Sequence, residues 1–261
     1  MSLSRTGAGA ASGTFNRMVR TAAAAGLLAG LMLTGVQHLQ VTRIIAQAEV
    51  LESAGEAEPV AHTHADGARH VHEAQATHKE PHEGAHVAPH EHGGWQPEDG
   101  VERTLYTALA DVSMAVGYGL LLAAAIGLRG RPVDWRSGLL WGGAGYAVFF
   151  LAPSIGLPPE LPGTAAAPVA ARQGWWIATA LSTATALAML AFGRHWALKL
   201  AAVALLVVPH LVGAPQPQVH ASVAPEQLQR SFVYATALAN GVFWLVLGAL
   251  TGFFHKRFAD R

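Results

Sequence analysis

Residues 104–128 read TLYTALADVSMAVGYGLLLAAAIGL, and this stretch decides the class of fold. It contains no lysine or arginine, and Asp111 is its only acid. A helix of about 20 apolar residues crosses the hydrocarbon core of a bilayer, which is about 30 Å thick. The stretch therefore predicts a membrane-spanning helix with one carboxyl group about two turns inside it.

Five further apolar segments follow the same pattern, so the sequence predicts an all-α, polytopic membrane protein with about six transmembrane helices. They cover residues 18–36, 138–157, 175–192, 196–212 and 231–254. The composition agrees, because 51% of the residues are hydrophobic and only 13% are charged, against about 25% charged in soluble domains. The fourth and fifth spans are short, and they form either a tight helical hairpin or a single span.

The positions of Lys and Arg predict how the spans are oriented in the membrane, because cytoplasmic loops carry an excess of these residues. One side of the membrane receives Arg5, Arg17, Arg20, Arg129, Arg131, Arg136, Arg194, Lys199, Lys256, Arg257 and Arg261. The other side receives Arg43, Arg69, Lys79, Arg103, Arg172 and Arg230, spread over longer loops. We therefore expect the tails 1–17 and 255–261 in the cytoplasm, and residues 37–103 outside the inner membrane of a bacterial cell. A five-span arrangement would bury Arg194 and Lys199 within one helix.

The first span has a second interpretation. Basic residues, an apolar stretch and Ala46-Gln47-Ala48 resemble a signal peptide with a cleavage site. A long polar and mixed stretch separates that tripeptide from the apolar residues, which favours a membrane anchor over residues 18–36.

The external segment 62–92 holds most of the 14 histidines of the chain. They are His62, His64, His70, His72, His78, His82, His86, His90 and His92. Neutral imidazole is a donor suited to Co, Ni, Cu and Zn. Pro81 and Pro89 oppose a regular helix, so we expect a disordered loop with several weak metal sites that collects ions. The alternative is a polar spacer without a ligand.

Composition also excludes several classes of function. The chain has no cysteine, which excludes disulfides, thiolate metal sites and Fe–S clusters. Its net charge is zero, so we expect no nucleic-acid partner. It has neither a Gly-rich P-loop nor an H-E-x-x-H helix, so we expect no enzyme and no permanent cofactor.

Polar residues in or beside the spans are costly unless they pair or line a cavity. Glu160 and His210 both follow prolines at the outer ends of spans, where freed carbonyl groups suit a divalent cation. Together with the histidine segment, the predicted metal ligands are His38, Glu49, Asp111, Glu160 and His210. The alternatives are an interhelical hydrogen bond for Asp111, a satisfied interfacial side chain for His210, and helix termination for the prolines.

Several runs of residues together resemble the CbtA family of proposed cobalt transporter subunits. They are Gln37-His38, Ala48-Glu49 with Glu52, residues 95–104, residues 156–163, residues 172–176, residues 209–215 and Phe243-Trp244. The resemblance implies an inner-membrane protein that takes up cobalt for cobalamin synthesis beside a small one-span CbtB partner with a histidine-rich end. This chain differs by carrying its own histidine segment between the first two spans.

The sequence therefore predicts a permease for Co²⁺, with Ni²⁺ or Zn²⁺ as alternative ions. Its expected partners are the metal ion, membrane lipid and a CbtB-type subunit. The alternative function is a membrane accessory protein that binds and hands over the metal without transporting it.

Overall fold

A computed structural model of the chain describes residues 4–56, 62–63, 69–70, 97–219 and 221–259. Its helices are α1 (Ser4–Leu39), α2 (Val41–Glu56), α3 (Val101–Arg129), α4 (Trp135–Tyr146), α5 (Ala152–Gly156), α6 (Val169–Phe192), α7 (Trp196–Val212) and α8 (Glu226–Arg257). A π-helical turn, Ala147–Leu151, joins α4 to α5. Two short strands, β1 (His62–Thr63) and β2 (Arg69–His70), pair antiparallel with His62 opposite His70. Apart from this pair, the prediction of a disordered histidine loop falls outside the described residues.

Within the described ranges, five helical segments are long and apolar enough to cross a membrane. They are Gly13–Leu39, Val101–Arg129, Trp135–Gly156, Val169–Phe192 and Glu226–Arg257. This confirms the all-α, polytopic class. Helix α2 was not predicted, and it lies within the segment that we interpreted as external loop.

The predicted fourth and fifth spans are two separate helices, α6 and α7, with a break at residues 193–195. The Ser182 hydroxyl donates to the carbonyl of Leu205 at 3.1 Å, and the Trp175 indole donates to that of Pro209 at 3.2 Å. These pairs define an antiparallel hairpin. With 17 residues, α7 is about 25 Å long at 1.5 Å per residue, slightly shorter than the hydrocarbon core.

Glycine brings α1 and α3 into close antiparallel contact. A methyl group added at Gly26 would lie 2.6 Å from the Cα atom of Val116, and one at Gly30 would lie 2.6 Å from that of Val112. Lipid tails are as apolar as leucine, so membrane helices associate through close packing at small residues. Substitution of either glycine would therefore force the two backbones apart.

The contact between α4 and α8 is tighter still. Gly138 and Gly142 face Gly248 and Gly252, and a methyl group on any of the four would overlap the backbone of the opposite helix. Both helices thus contribute a G-x-x-x-G pattern to one interface. The Tyr146 hydroxyl donates to a carbonyl of α8 at 3.2 Å and extends the antiparallel contact toward the other end of the pair.

An aromatic cluster fills the core beside this interface. Trp244 of α8 is 2% exposed, stacks on Phe149 with ring centroids 5.4 Å apart, and contacts Tyr118 of α3 at 4.7 Å. Aromatic pairs at these separations add to the burial of their large apolar surface. The cluster therefore joins α3, through Tyr118, and the π-helical turn after α4, through Phe149, to α8.

These antiparallel contacts give the bundle two distinct ends. The start of α1, the end of α3, the start of α4 and the end of α8 meet at one of them, where Arg17, Arg131 and Lys256 line a common cleft. We call this the basic end. Helix α2, the start of α3 and the loop after α5 lie at the opposite end.

We predict that Gly142→Ala destabilises the protein by about 1–3 kcal/mol, because its methyl group overlaps the backbone of α8. The matched control is Gly143→Ala, whose methyl group would meet nothing within 4 Å and whose helix propensity improves by about 1 kcal/mol. Thermal unfolding in detergent measures both variants. Equal stability of the two would contradict the packing described here.

Candidate functional site

Opposite the basic end, two loops and α2 form a cap over the bundle. The loops are residues 157–168 and 213–225, and the backbone N–H of Ala165 donates to the carbonyl of Ala221 at 2.9 Å. The amide side chain of Gln229, in α8, hydrogen-bonds the backbone of the first loop at 2.7 and 3.3 Å. The proline-rich run after α5 is therefore attached to α8, and its Pro159 carbonyl accepts a hydrogen bond.

Glu160 lies in this cap and pairs with Arg172 of α6. The carboxylate oxygen and the guanidinium nitrogen are 2.7 Å apart, and the two side chains are 25% and 29% exposed. Both residues line a cleft of about 750 Å³ between the cap and α6, together with Phe149, Pro153 and Trp176. A metal ion at Glu160 would have to compete with this arginine.

His210 lies near the end of α7, directly after Pro209. Its ring meets Trp175 edge-on, with centroids 5.9 Å apart. Its Nδ1 atom is buried and makes no hydrogen bond among the residues that the structure describes. A buried imidazole nitrogen without a partner is costly, which keeps His210 among the candidate ligands.

Glu49 of α2 is engaged by Arg103 at the start of α3. The guanidinium contacts both carboxylate oxygens, at 2.5 and 3.1 Å, and a third bond reaches Asp99 at 3.0 Å. Such a two-pronged pair is geometrically specific. It joins α2 to the start of α3, the two helices that flank the segment 57–96, at the cap.

Asp111 is buried between α1 and α3, with 8% of its surface exposed. Its carboxyl oxygen lies 2.8 Å from the hydroxyl of Thr34, and that hydroxyl also lies 3.1 Å from the carbonyl of Gly30. This is the interhelical hydrogen bond that we gave as the alternative to a metal ligand. His38, near the end of α1, is exposed.

The predicted ligands are therefore spread over the bundle and not assembled into one site. In the part of the chain that the structure describes, no three His, Asp or Glu residues are placed to hold a metal ion. The positions of His64, His72, His78, His82, His86, His90 and His92 lie outside that part, and of His62 and His70 only the backbone is described.

Sequence reasoning missed the two arginines that pair with the predicted carboxylate ligands. Arg103 follows Asp99 by four residues on a helical turn, a spacing that predicts an ion pair. Its main partner, Glu49, is 54 residues away along the chain. No local pattern could have shown that contact.

The long apolar helices define a multi-pass helical membrane protein. At its cap, ion pairs join Glu49 to Arg103 and Glu160 to Arg172. A family model described as "Probable cobalt transporter subunit (CbtA)" matches residues 15–256, and the chain therefore belongs to the CbtA family. No curated protein and no solved structure matches the chain. The description of the family is that of a probable cobalt transporter subunit, and a subunit implies an assembly with a partner.

We predict that Glu160→Gln lowers stability by roughly 1 kcal/mol, because the half-buried guanidinium of Arg172 loses its partner. Exchanging the charges, Glu160→Arg with Arg172→Glu, should restore much of that loss. Thermal unfolding of the single and exchanged variants measures the recovery.

The charge exchange also shows whether Glu160 serves as the ion-pair partner of Arg172 or as a ligand for cobalt. Cobalt uptake that recovers with stability would show that Glu160 acts only as the partner of Arg172. Uptake that stays low in a stable exchanged variant would show that a carboxylate is needed at position 160 itself.

Proposed function

We propose that this chain takes up Co²⁺ across the bacterial inner membrane and supplies cobalamin synthesis, with both termini in the cytoplasm. The family supports the ion and the role of transporter subunit. The concentration of Lys and Arg at the basic end supports the orientation, because such residues are enriched on the cytoplasmic side. The cap then faces outward.

The main support for this proposal is the position at which the histidine segment is attached to the bundle. Its flanks are clamped by Arg103 and Glu49 at the cap, opposite the basic end. A tethered chain of imidazoles raises the local concentration of a bound ion near its anchor. Ions that it releases are therefore delivered beside His210 and the cleft around Glu160.

Passage of the ion then depends on few side chains. His210 offers an imidazole nitrogen without a partner, and Glu160 becomes a ligand only if Arg172 releases it. Farther along, Asp111 is the acid buried between α1 and α3. The remaining ligands come from the histidine segment or from a CbtB-type subunit with its own histidines. The membrane potential contributes about 2.3 kcal/mol per charge per 100 mV.

Accumulation of labelled Co²⁺ in cells that express the chain tests this function. We expect uptake above the empty vector, and competition by excess Ni²⁺ or Zn²⁺ measures the choice of ion. Expression at the membrane without any increase in cobalt would refute uptake by this chain in that cell.

At saturating cobalt we predict that His210→Ala lowers uptake roughly tenfold, as loss of a metal-site group does. Deletion of residues 62–92 should have a smaller effect, because a collector matters most when the ion is scarce. The control is His195→Ala, which changes an exposed histidine between α6 and α7 at the other end of the hairpin. A larger loss from the deletion than from His210→Ala would place the essential site in the histidine segment.

We also predict that cobalt binding by the full chain weakens at least tenfold between pH 7.5 and 5.5. Free imidazole has a pKa of about 6.5, so only about a tenth of the side chains stay neutral at pH 5.5. Calorimetric titration of purified protein measures the change, and the variant without residues 62–92 should lose most of it. Binding independent of pH would exclude imidazole ligands.

A second candidate function is a metal-binding accessory that hands the ion to a partner without moving it across the membrane. It is favoured by one observation: the described residues contain no cluster of three metal ligands. Such a protein would bind cobalt through its histidine segment and show no flux by itself.

A further inference from the structure

At the basic end, a cleft of about 710 Å³ opens between α1, the end of α3 and the end of α8. The residues that line it include three cations, one histidine and one acid. They are Arg17, Arg131, Lys256, His255 and Asp134. Metal transport does not explain this cleft, because clustered cations would repel a divalent metal ion.

None of the three cations has an acidic partner close enough for an ion pair among the residues that the structure describes. The carboxylate of Asp134 accepts bonds from the backbone N–H and the hydroxyl of Ser137 at the start of α4. These bonds, and to a smaller extent the charge of Lys256, lower the pKa of Asp134 below its usual value, so it is an anion at neutral pH. The cleft still carries an excess of positive charge.

Two buried nitrogen atoms in the lining have no hydrogen-bond partner among the described residues. They are Nε of Arg17 and Nδ1 of His255, and His255 is only 7% exposed. Nε of arginine is a donor, and Nδ1 of histidine is a donor when it carries the proton. A buried polar atom left unpaired costs about 1–3 kcal/mol. Both atoms belong to residues on the wall of one cleft, so one ligand rich in acceptor oxygens could satisfy both.

We propose that this cleft binds a phosphate group, carried either by the headgroup of an anionic phospholipid or by a soluble phosphate compound. Phosphate offers several acceptor oxygens and negative charge, and arginine recognises it with paired N–H groups. Basic pockets between membrane helices on the cytoplasmic side suit lipid headgroups. The site is independent of the proposed metal transport.

The test compares two triple variants of the purified full chain that remove equal charge from the same end. The cleft variant carries Arg17→Gln, Arg131→Gln and Lys256→Gln. The control carries Arg20→Gln, Arg136→Gln and Arg257→Gln, at exposed residues that do not line the cleft. Native mass spectrometry in detergent measures binding of phosphatidylglycerol, phosphatidylcholine, inorganic phosphate and ATP.

We expect the wild-type chain to retain phosphatidylglycerol in preference to phosphatidylcholine, and the cleft variant to lose this binding. Each basic residue near a membrane contributes roughly a fivefold gain for an anionic headgroup, so the triple loss should approach about a hundredfold. If phosphate or ATP binds and phosphatidylglycerol does not, the ligand is a soluble phosphate. Equal loss in the control triple, or no binding of any phosphate probe, would overturn the proposal.

A single substitution tests the site even if the triple cleft variant does not fold. Lys256 is exposed, so Lys256→Gln should leave the melting temperature unchanged without lipid while it weakens binding roughly fivefold. Unchanged binding in this folded variant would also contradict the site.

Discussion

Two pairs of helices approach each other closely at glycine residues, and these contacts arrange the remaining helices of the bundle. Lipid tails are as apolar as leucine, so burying apolar side chains between helices brings no hydrophobic gain in a bilayer. The helices associate through close packing of their backbones instead. Gly138 and Gly142 against Gly248 and Gly252 set the crossing of α4 and α8, and Gly26 and Gly30 set that of α1 and α3. These two antiparallel pairs determine which loops meet at the cap and which meet at the basic end.

The polar chemistry follows from the separation of the two ends. At the cap, arginine holds the carboxylates of both Glu49 and Glu160, so an incoming cation must displace a charge or use imidazole. Among the described residues of the cap, His210 has a buried nitrogen atom without a hydrogen-bond partner. At the basic end, three cations without an ion pair among the described residues line a cleft. The proposed metal path and the proposed phosphate site therefore lie at opposite ends of the bundle.

The sequence predicts the helical membrane class because long apolar segments have few alternatives in a bilayer. It also shows the G-x-x-x-G patterns at residues 26–30, 138–142 and 248–252, but their partners depend on tertiary contacts. Helix α2 was missed because its 16 residues mix apolar and charged side chains and are too few to span a membrane. The candidate site was the least predictable part, since Glu49 and Arg103, or Thr34 and Asp111, meet only through long-range packing. The glycine patterns and the spacing of Asp99 and Arg103 were the local signals available.

Flux into vesicles measures whether this chain itself moves cobalt. Purified protein is reconstituted into vesicles that contain a dye quenched by cobalt, with a membrane potential negative inside. We expect quenching on addition of external Co²⁺, and much slower quenching with His210→Ala. Cobalt binding without any quenching by the chain, alone or with a CbtB-type subunit, would contradict transport and leave the accessory function.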